Sequence, residues 1–526
     1  MFDKLLGLPA HKYLQVLGVL ILAVGLPLNK VVMSIGTIWL ASNLILNADF
    51  KSYWLNWKKS FVFWLIVAIF ILHIAGLFYS SDIGYALRDI RTKLPFFVVP
   101  VALIGFPISK KEVHLVLKGF LISLFITSLI NWLNLYVSNS NAEYISFRDV
   151  SLFGSHIRYG LLIVMGTLVS FYLLTQRPKL FYLWVPLIIW FVYYTMIGQV
   201  FGGYVAFLFC LIGVAIYYIS LVKNTLIKIS LNLSILAIIL VSSFCTANYF
   251  SENEKIEVFG DLPEQTLQGN PYYHDTTFLW FENGNHVLSY ISEKELSTQW
   301  NKRSTINYDS LDHSGHEVKS TLIRYLSSKG LTKDSVGMEG LNSKDISKVE
   351  QGITNINSNS KSPFKRIESL KNQIRNYSQG GDPDGNSLLQ RFEHWKTAVY
   401  IIKNNWLFGV GSGDVQNAFN EAYSETNTKL NPDYWNRAHN QFLTFWVTFG
   451  ILGFTVFIFF WLYFFIDFYK KKNFLGLCFT LVAIASFLPE DTLETQQGVT
   501  FIALFISLSI LLKNNKVTNT ESQLQE

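Results

Sequence analysis

Charge is scarce in this chain. Asp, Glu, Lys and Arg make up 15% of its residues, against 50% hydrophobic, and the mean hydropathy is positive. That shortage excludes an ordinary soluble domain, in which charged residues run near about a quarter. Cysteine is almost missing too. Cys210, Cys245 and Cys478 all lie in or beside apolar stretches, which excludes a disulfide framework and a cysteine-spaced metal site. No cleavable leader is evident: "MFDKLLGLPAHK" runs straight into the first apolar stretch, which reads as an ordinary first span. Intramembrane acids, the mark of a proton-driven carrier, are few. Asp467 falls at the end of an apolar block, and Glu490, Asp491 and Glu494 fall outside the blocks.

What is present is a series of apolar blocks of about 15 to 29 residues. About 20 residues cross about 30 Å of hydrocarbon. About twelve candidate spans lie near 12–28, 31–47, 61–78, 94–108, 113–137, 157–175, 180–197, 201–221, 227–249, 440–468, 474–488 and 498–512. The expected fold is an all-α polytopic membrane bundle. The net charge of +6 is carried in short loops, so it reports topology rather than nucleic-acid binding. Lys51, Lys58 and Lys59, then Lys110 and Lys111, Arg177 and Lys179, Lys223 and Lys228, Lys470 to Lys472, and Lys513 and Lys516 occupy every second loop. That pattern puts both ends in the cytoplasm and the long polar insertion outside, in the periplasm of a Gram-negative cell. "LRDIRTK", with Arg88, Arg91 and Lys93, and "FRDVSLFGSHIRYG", with Arg148 and Arg158, are basic segments on the outer face. Together with the arginines flanking the insertion they suggest a face that collects anionic groups.

The insertion has a pattern of its own. "TTFLWFENGNHVLSYI" alternates on both sides of Asn283-Gly284 and predicts a β-hairpin. "EVKSTLIRYLSSKG" and "SPFKRIESLKNQIRNYSQ" have helical spacing, while "NSNSKSP" and "SQGGDPDGNS" read as linkers or turns. The expected organisation is membrane helices over 1–249, an α+β cap over 250–387, a helix and glycine-rich turn over 388–439, membrane helices over 440–512 and a cytoplasmic tail over 513–526.

Chemistry concentrates where the chain returns to the membrane. In "RAHNQFLTFWVTFGILG", His439 and Asn440 open a span. Gly450 and Gly453 follow, three residues apart, a spacing that lets another helix approach closely. A histidine at this position can also serve simply as an interfacial cap. Upstream, "LLQRFEHWKTAVYIIKNNWLFGVGSGDVQNAF" places Arg391, Trp395, Val399 and Ile402 on one side of a helix ending at Asn404-Asn405. The turn "GVGSGD", with Gly409, Gly411 and Gly413, can present several backbone N–H groups to an anion, or can simply connect two helices.

These residues resemble the O-antigen ligase family, which also takes in lipid-linked glycan polymerases. Its pattern is His, then Asn, Ser or Gln, nine residues, Gly, two residues, then Gly, Thr or Tyr, and "HNQFLTFWVTFGILG" meets every fixed position. The block ending in "GVGSGD" is similar to the element that precedes this pattern in the family, and "PEDTLETQQG" is a weaker echo. The resemblance implies a GT-C-like membrane glycosyltransferase. Such an enzyme takes an undecaprenyl diphosphate-linked glycan donor and a glycolipid acceptor among membrane lipids, with no cofactor, no metal and no nucleic acid. In that reading His439 is the base, Arg391 and Arg158 clamp the diphosphate and Asn440 orients substrate or imidazole. The family often carries an arginine where this chain reads "MIGQVFGGYVAF", with Gln199. The second cation is therefore expected from Arg158, with Arg148, Arg88 and Arg324 in reserve. A repeat-unit polymerase shares donor and base. A non-enzymatic carrier is the other class, and it would need polar residues running from one side of the membrane to the other.

Two further patterns compete for attention. "DHSGHE" offers Asp312, His313, His316 and Glu317 at metal-like spacing, without the flanking helix of a zinc protease. "DPDGNSLLQRFE" sets Asp382, Asp384, Asn386 and Glu393 at calcium-loop positions, but Ser387 stands where the loop needs glycine. A turn capping the next helix is the better reading.

Overall fold

The computed structural model describes residues 10–141, 152–198, 200–251, 262–277, 280–357, 363–378, 383–384 and 386–512. The chain forms two compact units, and two of the four divisions fall inside helices. The first unit comprises 1–235, 394–428 and 435–526, the second 236–393 and 429–434.

The first unit is helical. Its elements are α1 Ala10–Gly25, α2 Lys30–Asn47, α3 Phe50–Lys59, α4 Phe61–Leu77, α5 Ile83–Gly105, α6 Lys110–Asn141, α7 His156–Gln176, α8 Phe181–Gly198 and α9 Phe201–Leu221. α10, Thr225–Ser251, leads out of it. Among the described residues seven helical stretches are long and apolar enough to cross a membrane, within α2, α6 to α10 and the later helix α18, Gln441–Lys470. The pair α3 and α4, bent by 92°, makes an eighth if counted as one span. α1 and the last two helices, α19 Phe474–Phe487 and α20 Gln496–Leu511, are apolar but shorter. Small residues set the closest crossings. A Cβ on Gly36 of α2 would come within 2.7 Å of Leu22 on α1, and one on Gly213 of α9 within 3.0 Å of the Cys478 backbone on α19.

α5 departs from the sequence expectation. "LRDIRTK" is no outer loop: the helix starts at Ile83, capped by Asp82, whose carboxylate accepts the Tyr85 N–H. Charged residues do not end this helix because Asp89 and Lys93, one turn apart, point into the bundle and pair there at 3.1 Å.

The second unit holds the insertion. It contains α11 Glu293–Arg303, α12 Val318–Ser328, α13 Ser335–Glu339, α14 Ser343–Glu350, α15 Pro363–Ser378 and the start of α16, Ser387–Asn404. Its core gathers Leu296, Trp300, Leu322, Tyr325 and Val349. The predicted hairpin is present but short. β1 Phe281–Glu282 pairs antiparallel with β2 Asn285–His286, and Asn283 and Gly284 both take positive φ, as a type I′ turn needs. The two helices expected by spacing appear as α12 and α15.

Neither cation pattern keeps its side chains for a metal. Asp312 accepts the N–H groups of Ser314 and His316 and the Thr321 hydroxyl. Asn386 accepts the N–H groups of Leu388 and Leu389, capping α16, and Glu393 accepts from Tyr377. Asp382 lies outside the described residues.

Candidate active site

His439 stands just before α18, in the first unit, with φ of +45°. Left-handed backbone disfavours most side chains, and here it is held from two directions. The His439 N–H donates to Asp491 Oδ2 at 3.1 Å. Asn440 caps α18, its Oδ1 accepting from Phe442 and Leu443, while its Nδ2 donates to the Leu488 carbonyl at 3.1 Å. The amide of Asn440 is thus engaged by main chain on both ends. It fixes the chain immediately after His439, in keeping with a part in orienting the imidazole.

The turn between α19 and α20, residues 488–495, is bound to the start of α18 by further contacts. Thr444 Oγ1 donates to Asp491 Oδ1 at 2.7 Å, Gln441 Nε2 to Glu494 Oε1 at 3.2 Å, and the Leu493 N–H to Gln441 Oε1 at 2.6 Å. Glu490 Oε2 lies 3.6 Å from His439 Nδ1. Across the ring, His394 of α16 stacks at 5.4 Å, tilted by 37°.

The cations gather around these acids. Arg437 Nη1 meets Glu494 Oε2 at 3.3 Å. Lys93 Nζ meets Glu494 Oε1 at 2.9 Å, Asp89 Oδ1 at 3.1 Å and the Leu493 carbonyl at 2.5 Å. Asp89 in turn holds His73 Nδ1 at 2.8 Å. Arg158, on the first turn of α7, interacts electrostatically with Glu490 and Asp491. Burial disfavours charge on every member, so each needs its partner. Burial pushes the Glu494 carboxyl up, but Lys93 and Arg437 outweigh it and leave it below its ordinary value. Asp491 stays above its ordinary value, because burial and neighbouring Glu494 exceed the help from Arg437 and His439. Burial acts on Arg437 too, yet Glu494 and Asp491 hold its guanidinium more firmly charged than usual.

The other expected residues fall as follows. Arg391 sits on the half of α16 that belongs to the second unit, its Nη1 donating to the Ser387 carbonyl at 3.0 Å. Arg324 is in the second unit as well. Glu282 takes its guanidinium at 2.8 Å and Trp280 lies under it at 5.3 Å. Arg88 is exposed on α5, its guanidinium over Tyr85 at 5.6 Å. Arg148 and Gln199 lie outside the described residues. A small cavity between α7, α8 and α9 is lined by His156, Tyr159, Tyr194, Thr195, Gly198 and Gly203.

The glycine-rich turn has a different role from the one expected. Val410 and Gly411 donate their N–H groups to the carbonyls of Val447 and Thr448. Gly409 donates to Asn405 O, and Gly413 to Ser80 Oγ at 2.9 Å. Those N–H groups are therefore not presented to an anion. The carbonyls they reach are available because α18 breaks at Gly450, with φ +63° and ψ −163°. What approaches Gly450 is this turn, not another helix. A Cβ there would stand 2.1 Å from the Leu407 carbonyl oxygen. The next residue of the turn system, Asp414, accepts from the Ser81 and Asp82 N–H groups at 2.7 and 2.9 Å, tying it to the start of α5.

Replacing Gly450 by Ala should therefore lower thermal stability and membrane yield. The backbone conformation alone costs about 1–3 kcal/mol in any other residue, and the clash is with main chain that cannot rotate away. Unchanged melting in detergent would show that the break is not required.

Arg437, His73, Asp89, Lys93 and the acids at 490–494 are what sequence reasoning missed as a group. The local signals were Arg437, two residues before His439, the basic segment with Lys93 and the acids of "PEDTLETQQG"; nothing in the sequence joined them.

Fold and site together define a multi-pass helical membrane protein with a histidine and several cations bound into one buried acid-lined mouth. Residues 351–458 match the family model described as O-Antigen ligase. The match includes Arg391, His439, Asn440, Gly450 and Gly453. No curated protein matches the chain.

Proposed function

We propose that the chain is a membrane glycosyltransferase. It moves a glycan from an undecaprenyl diphosphate carrier to a hydroxyl of lipid A-core or a similar surface acceptor. The observation that carries this reading is the grouping of His439 with Arg158 and Arg437 at one mouth, within the same unit as most of the matched stretch. We read twelve spans with both termini in the cytoplasm and the mouth on the periplasmic side of the inner membrane.

His439 takes the proton of the incoming hydroxyl. That oxygen bonds to the anomeric carbon on the face opposite the diphosphate, the glycosidic bond to the diphosphate breaks, and the carrier leaves with the electron pair. The configuration inverts. Arginine suits the leaving group because its planar guanidinium stays charged and binds phosphate oxygens in pairs. Arg158 and Arg437 supply this from the mouth.

The test is deletion in the native cell, followed by gel analysis of surface glycan and of carrier-linked material. Full-length polymer left on the carrier is the expected result. Products of a single repeat would make the chain a polymerase, and an unchanged profile would overturn both readings. Membranes washed with chelator should transfer at the untreated rate, since the clamp is built from arginine.

A further inference from the structure

Glu490 has no part in the mechanism above, yet it lies against the proposed base. Its side chain is 12% exposed, and its carboxylate faces the His439 ring from 3.6 Å on the Nδ1 side. That distance is an ion-pair contact, longer than a hydrogen bond. Catalytic hydrogen bonds are often long before substrate arrives and tighten in the complex. The spacing between the two residues is not left to side-chain freedom. The strands of chain that carry them are joined by His439 N–H to Asp491, Asn440 to Leu488, Thr444 to Asp491, and Gln441 to both Leu493 and Glu494.

We infer that Glu490 is a positioning residue for His439: its carboxylate keeps the proton on Nδ1, so that Nε2 presents its lone pair to the acceptor hydroxyl. This rests on the reading of His439 as the base. A neutral imidazole has one donor and one acceptor nitrogen, and the partner of one decides the role of the other. When Nε2 takes the hydroxyl proton, the ring becomes a cation, and the carboxylate stabilises it as it forms. The other groups facing the ring or Glu490 do not do this. Asp491 is occupied by the His439 backbone and by Thr444. His394 meets the ring through a tilted stacking contact. Arg158 faces the acids, competing for Glu490 rather than replacing it.

Two variants in the full-length protein separate this from a structural role. Glu490→Gln keeps shape and an acceptor oxygen but loses the charge, and should slow transfer about tenfold, the scale of one charge-assisted hydrogen bond weakened to a neutral one. Glu490→Ala loses the partner altogether and should slow it about 100-fold, the scale of a misplaced reacting group. Transfer is followed in cells lacking the native gene, at matched membrane levels. In parallel, nitrogen spectra of the detergent-solubilised protein labelled in histidine report the tautomer of the neutral ring, with the His439 signals identified by their loss in His439→Ala. The expected result is an Nδ1–H ring in the unaltered protein and a shift toward Nε2–H in Glu490→Ala. Full activity in both variants, with His439→Ala inactive, overturns the role of Glu490 and leaves the base in place. Slow transfer with an unchanged tautomer also overturns it, since the carboxylate would then be acting as a counter-ion to Arg158. An active His439→Ala removes the base itself, and this inference with it.

Discussion

Cells whose only copy carries His439→Ala should transfer glycan about 10²- to 10⁴-fold more slowly than wild type, the usual contribution of a general base, with the protein present at normal levels. The substitution keeps the backbone contact that holds the turn. His439 is 37% exposed in its side chain. The bond it gives to Asp491 comes from its backbone N–H, which alanine retains. The remaining concern is its φ of +45°, where alanine costs roughly 1–2 kcal/mol. His439→Asn answers it, because asparagine accepts left-handed backbone through its short polar side chain but offers no comparable base. Both variants should be equally inactive and His439→Asn the better folded. Surface-glycan gels and quantitative blotting of membranes decide the matter. An active asparagine variant would mean that the backbone turn, not the imidazole, is what the site needs.

Replacing Lys93 by Met should cost about 3–5 kcal/mol of stability, the scale for breaking a buried ion pair on one side. Lys93 is 3% exposed and bridges Asp89 and Glu494 while also donating to the Leu493 carbonyl. Methionine matches its length but leaves two buried carboxylates facing each other. His73 and Arg437 remain, one for each acid, which is too few for what burial demands. The melting temperature in detergent should fall steeply, and protein yield with it. Adding Glu494→Gln should restore much of the loss, because the second change removes the charge that the first stranded. Additive losses in the double variant would show that the two residues do not act on each other.

The bundle was legible because hydrocarbon thickness sets a minimum length, and apolar runs of that length declare themselves. α5 was harder to place. Its Arg88, Asp89, Arg91 and Lys93 look like loop residues until Asp89 and Lys93 are seen to satisfy partners inside the bundle. The hairpin turn at Asn283-Gly284 was legible from its own two residues, whereas the short length of its strands depended on the rest of the cap. At the site, the spacing from His439 to Gly450 was visible, but its meaning was not. Helical periodicity assumes an unbroken helix, and nothing in the string shows that α18 breaks at Gly450 to receive a turn from 40 residues earlier. The acids of the 488–495 turn were hidden for a related reason. Glu494 finds Lys93 some 400 positions away, a separation that leaves no local pattern.

The mouth described here already balances its own charges. Lys93, Arg158 and Arg437 are matched by Asp89, Glu490, Asp491 and Glu494 before any ligand arrives. A diphosphate entering it would gain arginines only by prising them from carboxylates, so its binding is an exchange of counter-ions rather than the filling of a bare cradle. Exchange grips less tightly than a vacant cluster would. In the reaction proposed above, where the by-product is itself a diphosphate, the same weakness would shorten the wait before the next turnover.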